Sequence, residues 1–321
     1  MALARALDTL LDRLVVPGYS RIGYAVRRRV DWPPAPRPDA LDGRTVAITG
    51  ANSGLGLAAT IGAARLGAQV RMLCRDVERG ERARRQVLRD CPGAHVVVDE
   101  CDLSDAKSVR AAAAVIRKEH AGLHGLVHNA GVLPPQRTET ADGHELTVAT
   151  HVLGPHLLTA ELRAVLAGEP DARVIFVSSG GMYAQRLRSD DPEFHRGEYD
   201  GVTAYARTKR MQVVLAQLWA EQLAEQHVAV HAMHPGWADT PGVTESLPRF
   251  ARFAGPLLRT PEQGADTIVW LMAADEPGRT SGLFWHDRRP RPTSYVPLTR
   301  HSAAQAAAFW DYCNTATGVT A

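Results

Sequence analysis

Thr45-Val46-Ala47-Ile48-Thr49-Gly50-Ala51-Asn52-Ser53-Gly54-Leu55-Gly56 joins a β-branched run to a glycine-rich turn. A short apolar run of this kind predicts a strand buried on both faces. The Ala- and Leu-rich segment beyond it, to about Leu66, predicts a helix. Gly50, Gly54 and Gly56 stand where strand gives way to helix. Without side chains there, backbone can approach a pyrophosphate lying over the helix N-terminus. Asn52, Ser53 and Leu55 complete the turn. Strand, glycine turn and helix in this order predict a dinucleotide cradle.

The same alternation continues outward. Strands are predicted over residues 70–74, 95–98, 126–128, 173–177, 228–233 and 282–285. Helices are predicted over 77–89, 145–167, 204–226, 262–273 and 303–312. Ser104 reads as the N-cap of a further helix, and Gly154-Pro155 as a bend in the long one. Alternating strands and helices with right-handed crossovers give an α/β, doubly wound, mostly parallel sheet of about seven strands, with helices on both faces. Two irregular stretches, 180–202 and 235–260, leave the carboxyl ends of strands, where ligands bind in such sheets. They are the expected substrate loops. Residues 42–321 form one domain on this reading. Residues 1–41 are an amphipathic extension closed by the linker Trp32-Pro33-Pro34-Ala35-Pro36-Arg37-Pro38.

Composition narrows the partners. The 321 residues are 45% hydrophobic and 22% charged, with a formal net charge of +2. That is an ordinary soluble composition without the basic blocks of a nucleic-acid binder. Cys74, Cys91, Cys101 and Cys313 lack metal-ligand spacing and suggest no disulfide framework, so a cytoplasmic setting is expected. Leu3, Leu7, Leu10, Leu11 and Leu14 recur at helical spacing, with Arg27-Arg28-Arg29 downstream. This extension is expected to pack on its own domain or a neighbouring subunit, or to touch a membrane surface peripherally.

Tyr205-Ala206-Arg207-Thr208-Lys209 puts a phenol and an ammonium one helical turn apart on one face. A lysine beside a tyrosine favours the phenolate and makes it an acid/base near neutral pH. At the end of the second strand, Arg75 precedes Asp76. An arginine there suits the 2′-phosphate of NADP, whereas a carboxylate suits the ribose hydroxyl of NAD, and NADP(H) is the expected preference. Asp102 and Leu103, after the third strand, are candidates for the adenine contact; Asp102 also reads as a helix-start residue.

With Asn129-Ala130-Gly131, Ser178-Ser179, Pro235-Gly236 and Thr240 added in order, residues 42–285 resemble the short-chain dehydrogenase/reductase family and its Rossmann-type fold. The resemblance implies that Tyr205 is the general acid in reduction and the general base in oxidation. It implies that Lys209 tunes Tyr205 and binds the nicotinamide ribose, and that Ser179 rather than Ser178 bonds the substrate oxygen. Asn129, with Ala130 and Gly131, shapes the strand end beside the adenosine ribose. Pro235 and Gly236 clear space for the nicotinamide, and Thr240 binds near its carboxamide or the phosphates. Where the family usually carries an asparagine that holds a water on the lysine's path to solvent, this chain has His151. Histidine can take over that relay or alter it. Family habit also implies a homo-oligomer.

The leading expectation is therefore an NAD(P)-dependent oxidoreductase acting on a carbonyl or secondary alcohol. Met182, Tyr183, Leu187, Trp237, Phe250, Phe253, Leu257 and Leu258 in the two loops suggest an apolar small molecule, unless they only close the loop core. A nucleotide-binding regulatory or scaffold protein with weak or no turnover is the alternative that His151 raises. A nucleotide-sugar epimerase shares the Tyr–Lys pair but needs a larger C-terminal substrate domain than this chain has.

Overall fold

The computed structural model describes residues 2–240, 252 and 254–320, with side chains from residue 7 at the N-terminal end. Three helices precede the sheet: α1 Ala2–Arg13, α2 Val15–Tyr19 and α3 Arg21–Val30. Among the described residues the sheet has eight strands in the order β3-β2-β1-β4-β5-β6-β7-β8. They are β1 Thr45–Thr49, β2 Gln69–Cys74, β3 Val96–Glu100, β4 Gly125–His128, β5 Arg173–Val177, β6 Ala229–Met233, β7 Phe284–His286 and β8 Arg289–Arg291. The first seven pair in parallel, and β8 turns back antiparallel on β7. The strand order reverses between β1 and β4, which opens a crevice beyond their carboxyl ends.

Every residue of β1, β5 and β6 is buried, because helices cover both faces. One core layer packs Ile48, Val70 and Met72 against α4 Gly54–Arg65, α5 Val77–Asp90 and the helix Pro261–Ala273. The other packs Leu126, Val174 and Phe176 under α6 Ala106–Glu119, a long composite helix, α9 Gly201–Gln222 and the helix Ala303–Thr317. The composite helix consists of α7 Leu146–Val148, a π-helical turn Ala149–Leu153 and α8 Gly154–Ala167. Its irregularity therefore lies in the turn before the expected Gly154-Pro155 bend. Pro155 follows that turn inside a continuous helix, where the amide it lacks would otherwise bond a carbonyl one turn back. Asp105, not Ser104, caps α6: its carboxylate accepts from the Lys107 amide at 2.8 Å.

The extension is bonded to the body of the chain. Arg27 donates to Asp8, to the Gly18 carbonyl and to Asp287 of the β7–β8 turn. Arg288 and Trp270 donate to carbonyls of the proline-rich linker at Pro33 and Pro34. Leu11, Tyr19 and Tyr24 are buried, whereas Leu10, Leu14, Val15, Val16 and Ile22 are exposed. No helix among the described residues is long and apolar enough to cross a membrane.

Candidate active site

The glycine turn leaves β1 and enters α4 at the mouth of the crevice. A Cβ on Gly50 would lie 2.8 Å from the Ala130 Cα, and one on Gly56 would lie 2.2 Å from the Gly50 carbonyl oxygen. Gly50 also holds φ +63°, the left-handed region that disfavours side chains. The turn is thus as tight as backbone allows, and its outer side stays bare. Ser53 stands at the N-cap of α4 without a side-chain bond to the first amides. The helix N-terminus keeps donors and positive dipole for an anion. Asn129 fastens the floor: its side-chain amide donates to the Thr49 carbonyl at 3.0 Å and to Gly50 at 3.3 Å. Thr49 Oγ1 accepts the amides of Asn129 and Ala130. A bare turn, open helix amides and a braced floor fit the pyrophosphate of a dinucleotide.

Arg75 is exposed at the end of β2. Asp76 is occupied as the N-cap of α5, accepting from the Arg79 amide at 2.9 Å. Asp102 closes a tight turn on Ser104, accepting from its amide at 2.9 Å and its hydroxyl at 2.6 Å. The Leu103 side chain is core. Leu55 is half-buried against the helix Pro261–Ala273: a Cβ on Gly264 would lie 2.5 Å from the Leu55 Cδ2.

The reactive side chains gather beyond the end of β5. Ser178 points inward and donates to the Lys209 carbonyl at 2.7 Å, which ties the strand end to α9. Ser179 is half-buried, accepts from the Gly181 amide, and holds its hydroxyl against the Tyr205 phenol. One turn beyond Tyr205, the buried Lys209 Nζ stands 5.3 Å from the Tyr205 ring centre. It donates to the Val177 carbonyl at 2.9 Å and to Gln212 Oε1 at 3.0 Å.

The electrostatics differ from the expectation that Lys209 lowers the Tyr205 pKa. Burial pushes the Tyr205 phenol up to about 12, against a downward pull from the Ser179 hydroxyl. Burial also brings the Lys209 ammonium down to about 7. Desolvation disfavours both charges. Tyr205 is therefore a neutral acid at physiological pH, ready to give a proton.

His151 lies in the π-helical turn with its ring edge-on to Tyr205, centres 5.5 Å apart. Both ring nitrogens are engaged. Nε2 accepts from the Val132 amide at 2.9 Å, so the proton sits on Nδ1 and is donated to Thr208 Oγ1 at 2.7 Å. Burial first, and the Lys209 charge second, hold this imidazole well below its ordinary pKa. A neutral ring with both nitrogens bonded is a brace between β4, the composite helix and α9. The side chain that accepts from Lys209 is Gln212, whose own amide donates to the His151 carbonyl at 2.9 Å. Sequence reasoning missed Gln212; its only signal is its place one turn after Lys209.

The second loop enters from β6. Pro235, Gly236 and Trp237 are half-buried, and the Pro235 carbonyl accepts from the buried Arg259 at 3.1 Å. Thr240 is half-buried. Phe250 and Phe253 lie outside the described residues. Of the other apolar loop residues, Met182, Leu187 and Leu258 are buried in the protein core, and Tyr183 packs on Phe284 and Tyr295. Trp237 and Leu257 alone in that set are half-buried without belonging to a core cluster.

The family model described as short chain dehydrogenase matches residues 44–249. Dehydrogenase/reductase SDR family member 12 of Bos taurus is 41% identical over 291 residues, 90% of each chain. Retinol dehydrogenase 12 of Bos taurus is 35% identical over 249 residues, 77% of this chain and 78% of the relative. The crystal structure of an uncharacterised protein from Mycobacterium paratuberculosis superimposes with a TM-score of 0.68 at 28% identity, over 86% of this chain and 94% of that one. The chain belongs to the short-chain dehydrogenase/reductase family of NAD(P)-binding oxidoreductases.

Proposed function

We propose that the protein is an NADP(H)-dependent reductase of carbonyl compounds, or dehydrogenase of secondary alcohols, with an apolar small-molecule substrate. The observation that carries this is the convergence of Ser179, Tyr205 and Lys209 beyond β5, beside the bare glycine turn. Gly50, Asn52, Ser53, Gly54, Leu55 and Gly56 would cradle the pyrophosphate, and exposed Arg75 would meet the 2′-phosphate. Asp102, Leu103 and Asn129 to Gly131 would border the adenosine. Lys209, Pro235, Gly236 and Thr240 would border the nicotinamide half. The nicotinamide supplies or accepts the hydride.

The chain's own residues do the rest. Ser179 donates a hydrogen bond to the carbonyl oxygen and stabilises the charge that develops there. Tyr205, protonated at neutral pH, gives that oxygen its proton in reduction and takes it back in oxidation. In its protonated form Lys209 places positive charge beside the phenol and stabilises the phenolate as the proton leaves. Trp237 and Leu257, with the name of the retinol dehydrogenase relative, support an apolar substrate. The exposed row Leu10, Leu14, Val15 and Ile22, flanked by exposed Arg13, Arg21, Arg28 and Arg29, supports peripheral membrane contact from a cytoplasmic setting. A homo-oligomer through the long helices completes the reading. A nucleotide-binding regulatory or scaffold role with weak or no turnover is the competing reading, raised by His151 standing where the family usually carries an asparagine.

Fluorescence titration of NADPH and NADH, followed by turnover of an aldehyde and ketone panel, tests the proposal. NADPH binds more tightly than NADH, and Tyr205→Phe loses at least about a thousandfold in kcat while its NADPH affinity stays within about twofold. A Tyr205→Phe enzyme with near-normal kcat removes the assignment; tight NADPH binding without Tyr205-dependent turnover leaves the scaffold reading.

A further inference from the structure

Tyr19 ends α2, far from the catalytic residues in sequence, yet it stands among the loops that carry them. Its ring is 3% exposed and lies edge-on to His234, His286 and Trp237, with centres 4.5, 5.3 and 6.2 Å away. A Cβ on Gly180, the residue after Ser179, would lie 2.5 Å from the Tyr19 Cε2. A Cβ on Gly236, the residue after Pro235, would lie 2.6 Å from the Tyr19 carbonyl oxygen and 2.5 Å from the Arg259 Cζ. That carbonyl accepts the Trp237 amide at 2.8 Å. One residue of the extension thus fills the space beside both glycines.

Arg259 locks the arrangement. It is 1% exposed and donates to the carbonyls of Gly18, Ser20 and Pro235, and to both oxygens of Asp287. Asp287 in turn accepts from Arg27 of α3 at 2.7 Å. An extension serving only as a surface anchor needs none of these contacts. Here α2 and α3 are bolted to the two loops that border the reaction.

We propose that Tyr19 is a positioning residue of the active site: its ring and carbonyl hold the Ser179–Gly180 turn and the Pro235–Trp237 loop in register with each other. The N-terminal extension is then a wall of the catalytic site. This rests on the proposed roles of Ser179 and of the Pro235–Gly236 loop. Positioning errors near 1 Å cost up to about a hundredfold in rate, so Tyr19 acts on kcat more than on cofactor affinity.

The test compares full-length wild type with Tyr19→Ala, Tyr19→Phe, Gly180→Ala and the double variant Gly180→Ala/Tyr19→Ala. It reads kcat and KM for a carbonyl substrate, NADPH affinity by fluorescence, and amide exchange of peptides covering 178–185 and 234–240. Tyr19→Ala lowers kcat about tenfold, keeps NADPH affinity within about twofold, and speeds exchange in both peptides but not in β1 or β4. Tyr19→Phe keeps the ring and behaves as wild type. Gly180→Ala reproduces the defect by displacing the ring, and the double variant recovers part of it because the added methyl enters vacated space. Unchanged kcat in Tyr19→Ala, unchanged exchange in the two peptides, or exchange accelerated across the whole chain each overturns the proposal. A wild type with no carbonyl turnover instead removes the proposed function, and the exchange data still decide whether Tyr19 couples the loops.

Discussion

Lys209 is 3% exposed, and burial brings its ammonium down to about 7, so its charge depends on the acceptors around it. There are two: the Val177 carbonyl, fixed by β5, and Gln212 Oε1, fixed by the His151 carbonyl. A hydrogen bond to a charged group contributes about 1.5–3 kcal/mol, which corresponds to roughly one pH unit or more of titration. Gln212→Met fills the same space without the acceptor. The ammonium then loses its proton at lower pH, and activity that needs the charged lysine fails sooner as pH rises. The alkaline limb of kcat/KM should move down by about one pH unit, with NADPH affinity at pH 6 little changed. An unmoved limb would show that Gln212 carries no part of the lysine's charge. The placing of Tyr205 and Lys209 one turn apart was legible in the sequence as a helix-face pattern, weak by itself, whereas Ser179 was singled out only through the family resemblance. His151 was visible as a departure, but its state was not. Only the Val132 amide on Nε2 fixes its tautomer and makes it a brace.

At the scale of elements, the β7–β8 hairpin links the extension to the site. His286 pairs with Arg289 across a two-residue turn, Asp287-Arg288, with φ of 52° and 57°. Two left-handed residues make the primed turn that matches strand twist, and neither residue is the usual glycine. Arg288 is held there by paired bonds to Asp266, each 2.7 Å. Asp287 is held by Arg27 and Arg259. Burial alone would push its carboxyl up, but the Arg259 and Arg27 guanidiniums override burial and keep it below the usual range. Asn tolerates the same backbone region, so Asp287→Asn isolates the charge. It leaves two buried guanidiniums facing an amide, and should cost about 3–5 kcal/mol in urea unfolding; a loss under about 1 kcal/mol would mean that solvent reaches the cluster. Arg289-Pro290-Arg291 has no apolar alternation and a proline that suits only an edge, so β8 carried no strand signal. The docking of the extension was equally hidden, because Arg27 and Asp287 are 260 residues apart. Strands such as Thr45–Thr49 and Arg173–Val177 were legible to the residue because burial on both faces demands continuous apolar runs.

For the molecule as a whole, the distribution of histidine sets the response to acid. Burial brings the imidazoles of His124, His156 and His231 down to about 4 and that of His128 to about 3. His151, His234 and His286 are also held well below the ordinary value, first by burial. The unfolded chain protonates all of them near pH 6.5, whereas the folded chain resists. Below that pH the unfolded state binds more protons, so stability falls as pH falls. It is fully present above about 6.5 and is lost progressively toward about 4. Each proton contributes about 1.4 kcal/mol per pH unit within its window. The carboxylates act at lower pH: Asp8 and Asp287 sit below the usual range of about 3.9, so their stabilisation is lost only as pH drops under that range. Several histidines acting together can exhaust a net stability of about 5–15 kcal/mol within one or two pH units. The midpoint of urea unfolding should therefore hold nearly level from pH 8 to 7, drop steeply below about pH 6, and vanish before the carboxylates titrate. A midpoint that stays level to pH 4.5 would show that these rings are charged and solvated in the folded protein, contrary to their bonded, buried places in both core layers.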